Sequence, residues 1–434
     1  MFLKRLQLGL IHVAVAITLV PINSTLNRVM IHDLAISATV VAILASLPYL
    51  FAPLQVALGA YSDLHPVLGF RRTPYILIGL LLCVAGLVVS PQVAFLMAGT
   101  GPAGYLVAAL AFGAWGMGYN ISSVSYLSLA AELSGEKERG KTIAIMWFMM
   151  IVAIIITAVS VGQMLDPYSP EALQRAFWAV GMVALLLGLV GLVRLEPRHR
   201  AEGAEAAENP GLRAMLTPII QSPQARLFFI YLFLLLAAIL GQDVLLEPFA
   251  AEAFGLTVSQ TTRITSIWGT AVLAAIILAG ALDARLNRRR VAQGGNIGAL
   301  LGFVLIVASG FTASRTVFYS GVTLLGFGTG ISTVANLALM FDLTLPGSVG
   351  LFIGAWGLAN AMSRLAGNLL GGVVRDIATA LSGNAVFGYL LVFSLEAAML
   401  LAAIILFTRL DVSSFRRQVQ EPDIYERIGV MTDS

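Results

Sequence analysis

Charge is scarce in this sequence. Of its 434 residues only 11% are Asp, Glu, Lys or Arg, while 58% are hydrophobic and the mean hydropathy is +0.89. So little polar surface cannot cover a water-soluble globule, which places the chain in a bilayer with lipid as its surroundings. Cysteine is almost absent: a single one, Cys83, excludes a disulfide within the chain and any Cys-based zinc site, and it reads as a small buried hydrophobe. No Walker A loop occurs, so ATP hydrolysis is not expected. No His, Cys and Asp fall into an arrangement for nucleophilic or metal chemistry, so no enzyme is expected. The net charge is only +3 and the basic residues are dispersed, which gives nucleic-acid binding no footing. The first apolar run carries no small-residue cleavage site, so it reads as a retained helix.

What the chain has in abundance is apolar runs of spanning length, about 20 residues each. They predict an all-α membrane protein with helices at 6–30, 38–60, 74–97, 104–131, 142–164, 173–194, 227–250, 262–282, 292–311, 316–341, 350–374 and 386–408. Twelve spans put both termini on one side. The segments on that side hold twenty Lys and Arg, among them Lys4, Arg5, Arg71, Arg72, Arg139 and Arg288 to Arg290; the opposite segments hold five, Arg28, Arg175, Arg263, Arg315 and Arg375. Positive charge is retained in the cytoplasm, so both termini are expected there. The polar stretch 196–226, with its Glu/Ala run and Asn209-Pro210-Gly211, reads as a linker between an N-terminal six-helix bundle, 1–195, and a C-terminal one, 227–408, followed by a cytoplasmic tail, 409–434.

An internal repeat supports that division. Gly116-Met-Gly-Tyr-Asn-Ile-Ser-Ser-Val and its continuation to Glu132 align without a gap on Gly326-Phe-Gly-Thr-Gly-Ile-Ser-Thr-Val and its continuation to Asp342. Helix four then corresponds to helix ten. Two parallel six-helix repeats are the layout of the major facilitator fold. After helix two comes Gly59-Ala-Tyr-Ser-Asp63, then Gly69-Phe-Arg71-Arg72, which resembles the signature loop of that superfamily. A weaker echo around Asp283 follows helix eight, and Glu132 with Arg139 follows helix four. An acid at a helix C-terminus opposes its own dipole and seeks an arginine or another helix's N-terminus. These residues, with Asp342, therefore predict a breakable latch between the halves.

Inside the spans, polar side chains are few enough to be informative. Helix eleven shows two stripes at four-residue spacing, one small (Ala355, Ala359, Ser363, Gly367, Gly371) and one polar (Trp356, Asn360, Arg364, Asn368). An arginine at mid-membrane points to a cavity or a paired acid, and Asp243, beside Gln242, and Glu396 are the candidate partners. Asn120, Asn336 and Glu247 complete the interior set. In helix one, Pro21 is followed by Asn23, Asn27 and Arg28, which should loosen the helix and turn polar groups inward. His12 either ligates the magnesium of a tetrapyrrole or hydrogen-bonds a neighbouring helix. The embedded arginine in helix four and the Gly-Pro pattern in helix five of proton-driven drug exporters are missing, as are sugar-porter motifs.

Three segments narrow the family: Thr25-Leu-Asn-Arg-Val-Met-Ile31, Leu50-Phe-Ala-Pro53, and Ser62-Asp-Leu-His65 with Leu68-Gly-Phe-Arg-Arg-Thr-Pro-Tyr-Ile76. They resemble the PucC/LhaA bacteriochlorophyll-delivery group of the major facilitator superfamily, most strongly over 22–80. The resemblance implies a factor in the inner membrane of a phototrophic bacterium that delivers (bacterio)chlorophyll, held non-covalently, to light-harvesting antenna polypeptides or the reaction-centre complex, or chaperones them. Departures are Glu132, where the group commonly has Asp, and a loop after Asp342 without Lys or Arg. The alternative from another class is a proton-coupled secondary transporter of a small amphipathic solute, working through Asp243 or Glu247.

Overall fold

The computed structural model describes residues 2–198, 223–282, 287–342 and 349–410, and all its regular structure is helical. Twelve helical segments follow in order: α1 (Phe2–Asp33), α2 (38–64), α3 (Thr73–Thr100), α4 (102–134), α5 (136–164), α6 (Pro170–Leu192), α7 (223–254), α8 (Val258–Leu282), α9 (Arg288–Thr312), α10 (Arg315–Asp342), α11 (Val349–Ser382) and α12 (Ala385–Thr408). Nine of them are long and apolar enough to cross a membrane by length and composition. The others are α2, which is interrupted, and α4 and α11. Most of the expected linker, 199–222, and the tail from 411 lie outside the described residues.

Departures from regular helix have local causes. Pro48 and Pro53 divide α2 into Ala38–Ala45, Leu47–Leu50 and Leu54–Leu64, because proline offers no N–H and its ring collides with the preceding turn. In α1 the loosening expected after Pro21 takes the form of two π-helical turns, Pro21–Leu26 and Val29–Asp33. The connection expected between 131 and 142 is instead helical almost throughout. One continuous run, Pro102–Met164, is broken only at Gly135, whose φ of 64° a residue with a Cβ adopts at a cost. Helix seven contains an interruption that the sequence did not suggest: a 3₁₀ turn, Gln242–Val244, separates Pro223–Gly241 from Leu246–Phe254.

The repeat read in the sequence is a repeat in space. A methyl group on Gly116 would lie 2.8 Å from the Pro48 nitrogen of α2, and one on Gly326 would lie 2.7 Å from the Trp268 carbonyl of α8. On the next face, a methyl on Gly118 would lie 2.6 Å from the Cys83 nitrogen of α3, and one on Gly328 would lie 2.7 Å from the Gly295 carbonyl of α9. The same two glycines thus let α4 cross α2 and α3, and α10 cross α8 and α9.

The halves meet along α2 with α11 and α5 with α8. Gly372 of α11 rides on the Ala38 carbonyl, and Gly269 of α8 packs on Ile155. The described hydrogen bonds between halves run from mid-bundle to the side opposite the termini. Thr25 meets Thr262 at 3.0 Å, Asn368 donates to the Ser46 hydroxyl at 3.0 Å, and Asp376 caps the start of α2 by accepting from the Ser37 hydroxyl (2.6 Å) and the Thr39 amide (2.8 Å). At Asp376, burial acts upward on the carboxyl, but the bonds from Ser37, Thr39 and Arg375 outweigh it and hold the group below the ordinary carboxylate range.

Candidate functional site

The polar interior centres on Arg364 of α11. Its guanidinium pairs with the Asp243 carboxylate at the broken turn of α7, reaches the Tyr49 hydroxyl of α2 at 3.4 Å, and lies 5.4 Å from the centre of that ring. The pair is not sealed: the side chains are 28% and 20% exposed, so they border space between the halves. The small stripe of α11 makes this possible. Gly367 and Gly241 approach so closely that a methyl on the latter would stand 3.0 Å from the Gly367 Cα. Of the two acids proposed as partners for Arg364, the structure selects Asp243. Glu396 points instead into the α7–α11 crossing, fully packed, with neither carboxyl oxygen hydrogen-bonded among the described residues.

The remaining interior residues separate into small groups. Asn120 donates to the Pro48 and Gly116 carbonyls at 2.7 and 2.8 Å and accepts from Gln55, which secures the kink of α2 to α4. Asn336 belongs to a closed ring: it accepts from Tyr231 at 2.8 Å and donates to the Ser332 hydroxyl, which donates to Asn296, which donates back to Tyr231. Tyr231 and Asn296 escaped the sequence reading because each is a single polar residue in an otherwise apolar run. Asn360 donates to the Trp356 carbonyl of its own helix. Arg28 is buried but pairs with Asp33 on its own helix, at the far end from the termini, where His32 also contacts Glu252 of α7 at 3.7 Å. Glu247 accepts from Thr265 of α8 at 2.8 Å. Asn23, Asn27 and Gln242 lie along the broken segments of α1 and α7.

Of the expected latch, the described residues show the part around Arg72. Arg72 donates to the Glu132 carboxylate at 2.8 and 3.0 Å and to the Ser62 hydroxyl at 2.7 Å, and all three residues belong to the first half. Glu196, previously assigned to the linker, accepts from the backbone amides of Arg71, Arg72 and Thr73 at 2.8, 3.1 and 2.7 Å and so caps α3. The described contacts thus bind the ends of α2, α4 and α6 to the start of α3, within one bundle rather than between bundles. Gly69, at φ 80°, and Leu68, at φ 56°, form the two-residue turn across which Val67 and Phe70 exchange backbone hydrogen bonds. Gly59 packs toward Val124 of α4, and Arg139 is exposed rather than paired with Glu132. Asp283, and the side chains of Asp63 and Asp342, lie outside the described residues. Glu196→Ala and Arg72→Ala are each expected to destabilise this end of the first half by about 1–2 kcal/mol without preventing membrane insertion. Thermal unfolding in detergent at wild-type temperature for both would remove that role.

His12 lies in a packed part of α1. The residue is 6% exposed, its Nδ1 is buried without a hydrogen bond among the described residues, and the Tyr126 and Trp147 rings are centred 5.2 and 6.2 Å from its own. The Met146 backbone lies beside the ring. The residue fits the packing role that was its alternative. His12→Leu is accordingly expected to lower the melting temperature and to leave unchanged any pigment-to-protein ratio and red absorption maximum. A shifted maximum in the variant would restore the ligand assignment.

The sequence pattern of the PUCC protein family matches residues 25–415. The chain is 32% identical over 415 residues to protein PucC of Cereibacter sphaeroides, covering 93% of this chain and 90% of that one. It is 30% identical over 418 residues to a protein of Rhodobacter capsulatus named bacteriochlorophyll synthase 44.5 kDa chain, covering 94% and 95%. Among solved structures, the nucleoside transporter NupG superposes with a TM-score of 0.72 at 15% identity, over 94% of this chain and 99% of that one. An inward-facing bacterial homologue of the lysosomal transporter Spinster superposes at 0.73 with 13% identity, over 97% and 98%. At such identities the structural likeness bears on the fold alone, which is that of major facilitator transporters.

Proposed function

The chain belongs to the PUCC protein family, and from that premise we propose that it is an assembly factor for photosynthetic light-harvesting complexes, delivering (bacterio)chlorophyll to newly inserted antenna polypeptides or chaperoning them. The observation that carries the reading is the family match, which spans all but the two ends of the chain. The relative whose name contains bacteriochlorophyll supports a pigment as cargo. In this reading the protein resides in the inner or intracytoplasmic membrane with both termini in the cytoplasm, and its role is handling rather than catalysis. The pigment is held non-covalently on an apolar surface, as cofactor sites generally are, with antenna polypeptides or the reaction-centre complex as partners.

A second reading is favoured by one observation, the accessible Arg364–Asp243 pair with buried Glu247 close by in sequence: proton-coupled transport of a small amphipathic solute. Purification from the host membrane followed by an absorption spectrum separates the two. Copurifying tetrapyrrole absorbance, together with loss of antenna complexes on deletion of the gene, is the result expected. Colourless protein that drives proton-dependent solute uptake in proteoliposomes would overturn it in favour of transport.

A further inference from the structure

Two helices lose their regular geometry at the same place. The π-helical turn Pro21–Leu26 of α1 packs against the 3₁₀ turn Gln242–Val244 of α7, so the breaks of the two halves face each other at mid-bundle. Irregular backbone at membrane depth is tolerated where something inside the protein satisfies it, and paired broken helices are a common setting for ions. The side chains here present acceptors. Asn27, Gln242 and Glu247 are 0%, 3% and 4% exposed, yet Asn27 Oδ1, Gln242 Oε1 and Glu247 Oε2 are buried with no hydrogen-bond partner, and Asn23 Oδ1 is in the same condition. The amides are held in this orientation: Asn27 Nδ2 donates to the Asn23 carbonyl at 3.1 Å, and Gln242 Nε2 donates to Asp243 at 2.9 Å. Turning either amide over would set oxygen against oxygen. Helix α8 draws the groups together, since Thr262 bonds Thr25 of α1 at 3.0 Å and Thr265, one turn on, bonds Glu247 at 2.8 Å.

We propose that this junction binds a monovalent metal cation, sodium, through Glu247 Oε2 and the side-chain oxygens of Asn23, Asn27 and Gln242. Hard oxygen donors without sulfur or imidazole suit an alkali or alkaline-earth ion. The charge selects the former. Asp243 is already compensated by Arg364, and Glu396 is turned into the α7–α11 crossing, which leaves Glu247 as the carboxylate at this junction without an ion pair among the described residues, and a single negative charge balances a single positive one. A proton on Glu247 would satisfy that oxygen and at most one neighbour, leaving further buried acceptors unmet, whereas a metal ion gathers several at once. Asn23 is half-buried and Asp243 partly exposed, so the junction has an edge on the space between the halves. Because the ligands come from α1 and α7, the ion ties one half to the other and favours the conformation in which the two breaks meet.

The test uses the purified full-length protein, melted in increasing sodium chloride, potassium chloride or choline chloride at constant ionic strength. A melting temperature that rises with sodium and saturates, and does not rise with choline, is expected, because a ligand of the folded state alone stabilises by mass action. Glu247→Gln and Asn27→Ala should each remove the sodium-dependent rise while still unfolding cooperatively. Should Glu247→Gln fail to fold, Asn27→Ala and the displacement of radioactive sodium from wild-type protein by unlabelled sodium chloride decide the matter. Identical melting in all three salts, a sodium effect that survives both substitutions, or stabilisation by acid alone regardless of salt would each overturn the proposal.

Discussion

Arg364→Leu is expected to abolish antenna accumulation and to destabilise the protein, at the lower end of the roughly 3–5 kcal/mol that breaking a buried ion pair costs. The lower end applies because both side chains retain some exposure, 28% and 20%, so water partly screens the acid left behind. The loss has two sources. Asp243 is stranded at a helix break inside the bundle, and Tyr49 of the opposite half loses the guanidinium from its ring and hydroxyl. Removing the stranded charge as well should recover much of the stability, so Arg364→Leu with Asp243→Asn should melt above Arg364→Leu alone. Glu396→Gln should give no such rescue, since Glu396 points elsewhere. Arg375→Leu is the comparison: its guanidinium pairs with Asp376 at 3.0 Å and stacks over Tyr389, but near the far end of α11, and a smaller effect is expected. If the double variant melts no higher than Arg364→Leu, charge compensation is not what Arg364 supplies. The Tyr49 contact would then carry its role.

The fate of Arg364 also shows what a sequence of this kind discloses. A lone intramembrane charge is so costly that its presence alone announced a partner, and depth along the helices reduced the choice to two acids. Direction was the missing quantity: Asp243 sits on the 3₁₀ turn that re-aims it, and nothing near Gly241 distinguishes that turn from an uninterrupted helix. Proline was a better signal, and the loosening of α1 after Pro21 was legible for that reason. The latch was less legible. Its arginine was found, but the partners of a surface-side charge are set by which helix ends lie together. Glu196, which follows the last apolar run of the first half, looked like the first residue of a linker rather than a helix cap for α3.

Leucine at Gly118 or Gly328 is expected to prevent the corresponding half from assembling, with little monodisperse protein recovered from membranes. The two positions are one position repeated, the point where α4 crosses α3 and α10 crosses α9. Without a hydrophobic drive between helices in lipid, association relies on close packing, and small residues at the crossing set how near two backbones come. At Gly118 the space for a Cβ is already occupied by backbone, the Cys83 nitrogen at 2.6 Å, and at Gly328 by the Gly295 carbonyl at 2.7 Å. Backbone cannot rotate aside as a side chain does, so relief requires separating the helices along their length. The cost should therefore exceed the roughly 1–3 kcal/mol typical of overpacking between side chains. Gly113 supplies the control on the same helix, because a Cβ there meets nothing within 4 Å. Gly113→Leu should be recovered at wild-type yield, with a modest gain from replacing glycine in a helix interior. The measurement is the size-exclusion profile and melting temperature of the three variants side by side. Recovery of Gly118→Leu at the level of Gly113→Leu would mean that the crossing tolerates separation, and that the glycines shared by the two halves do not hold them in the same shape.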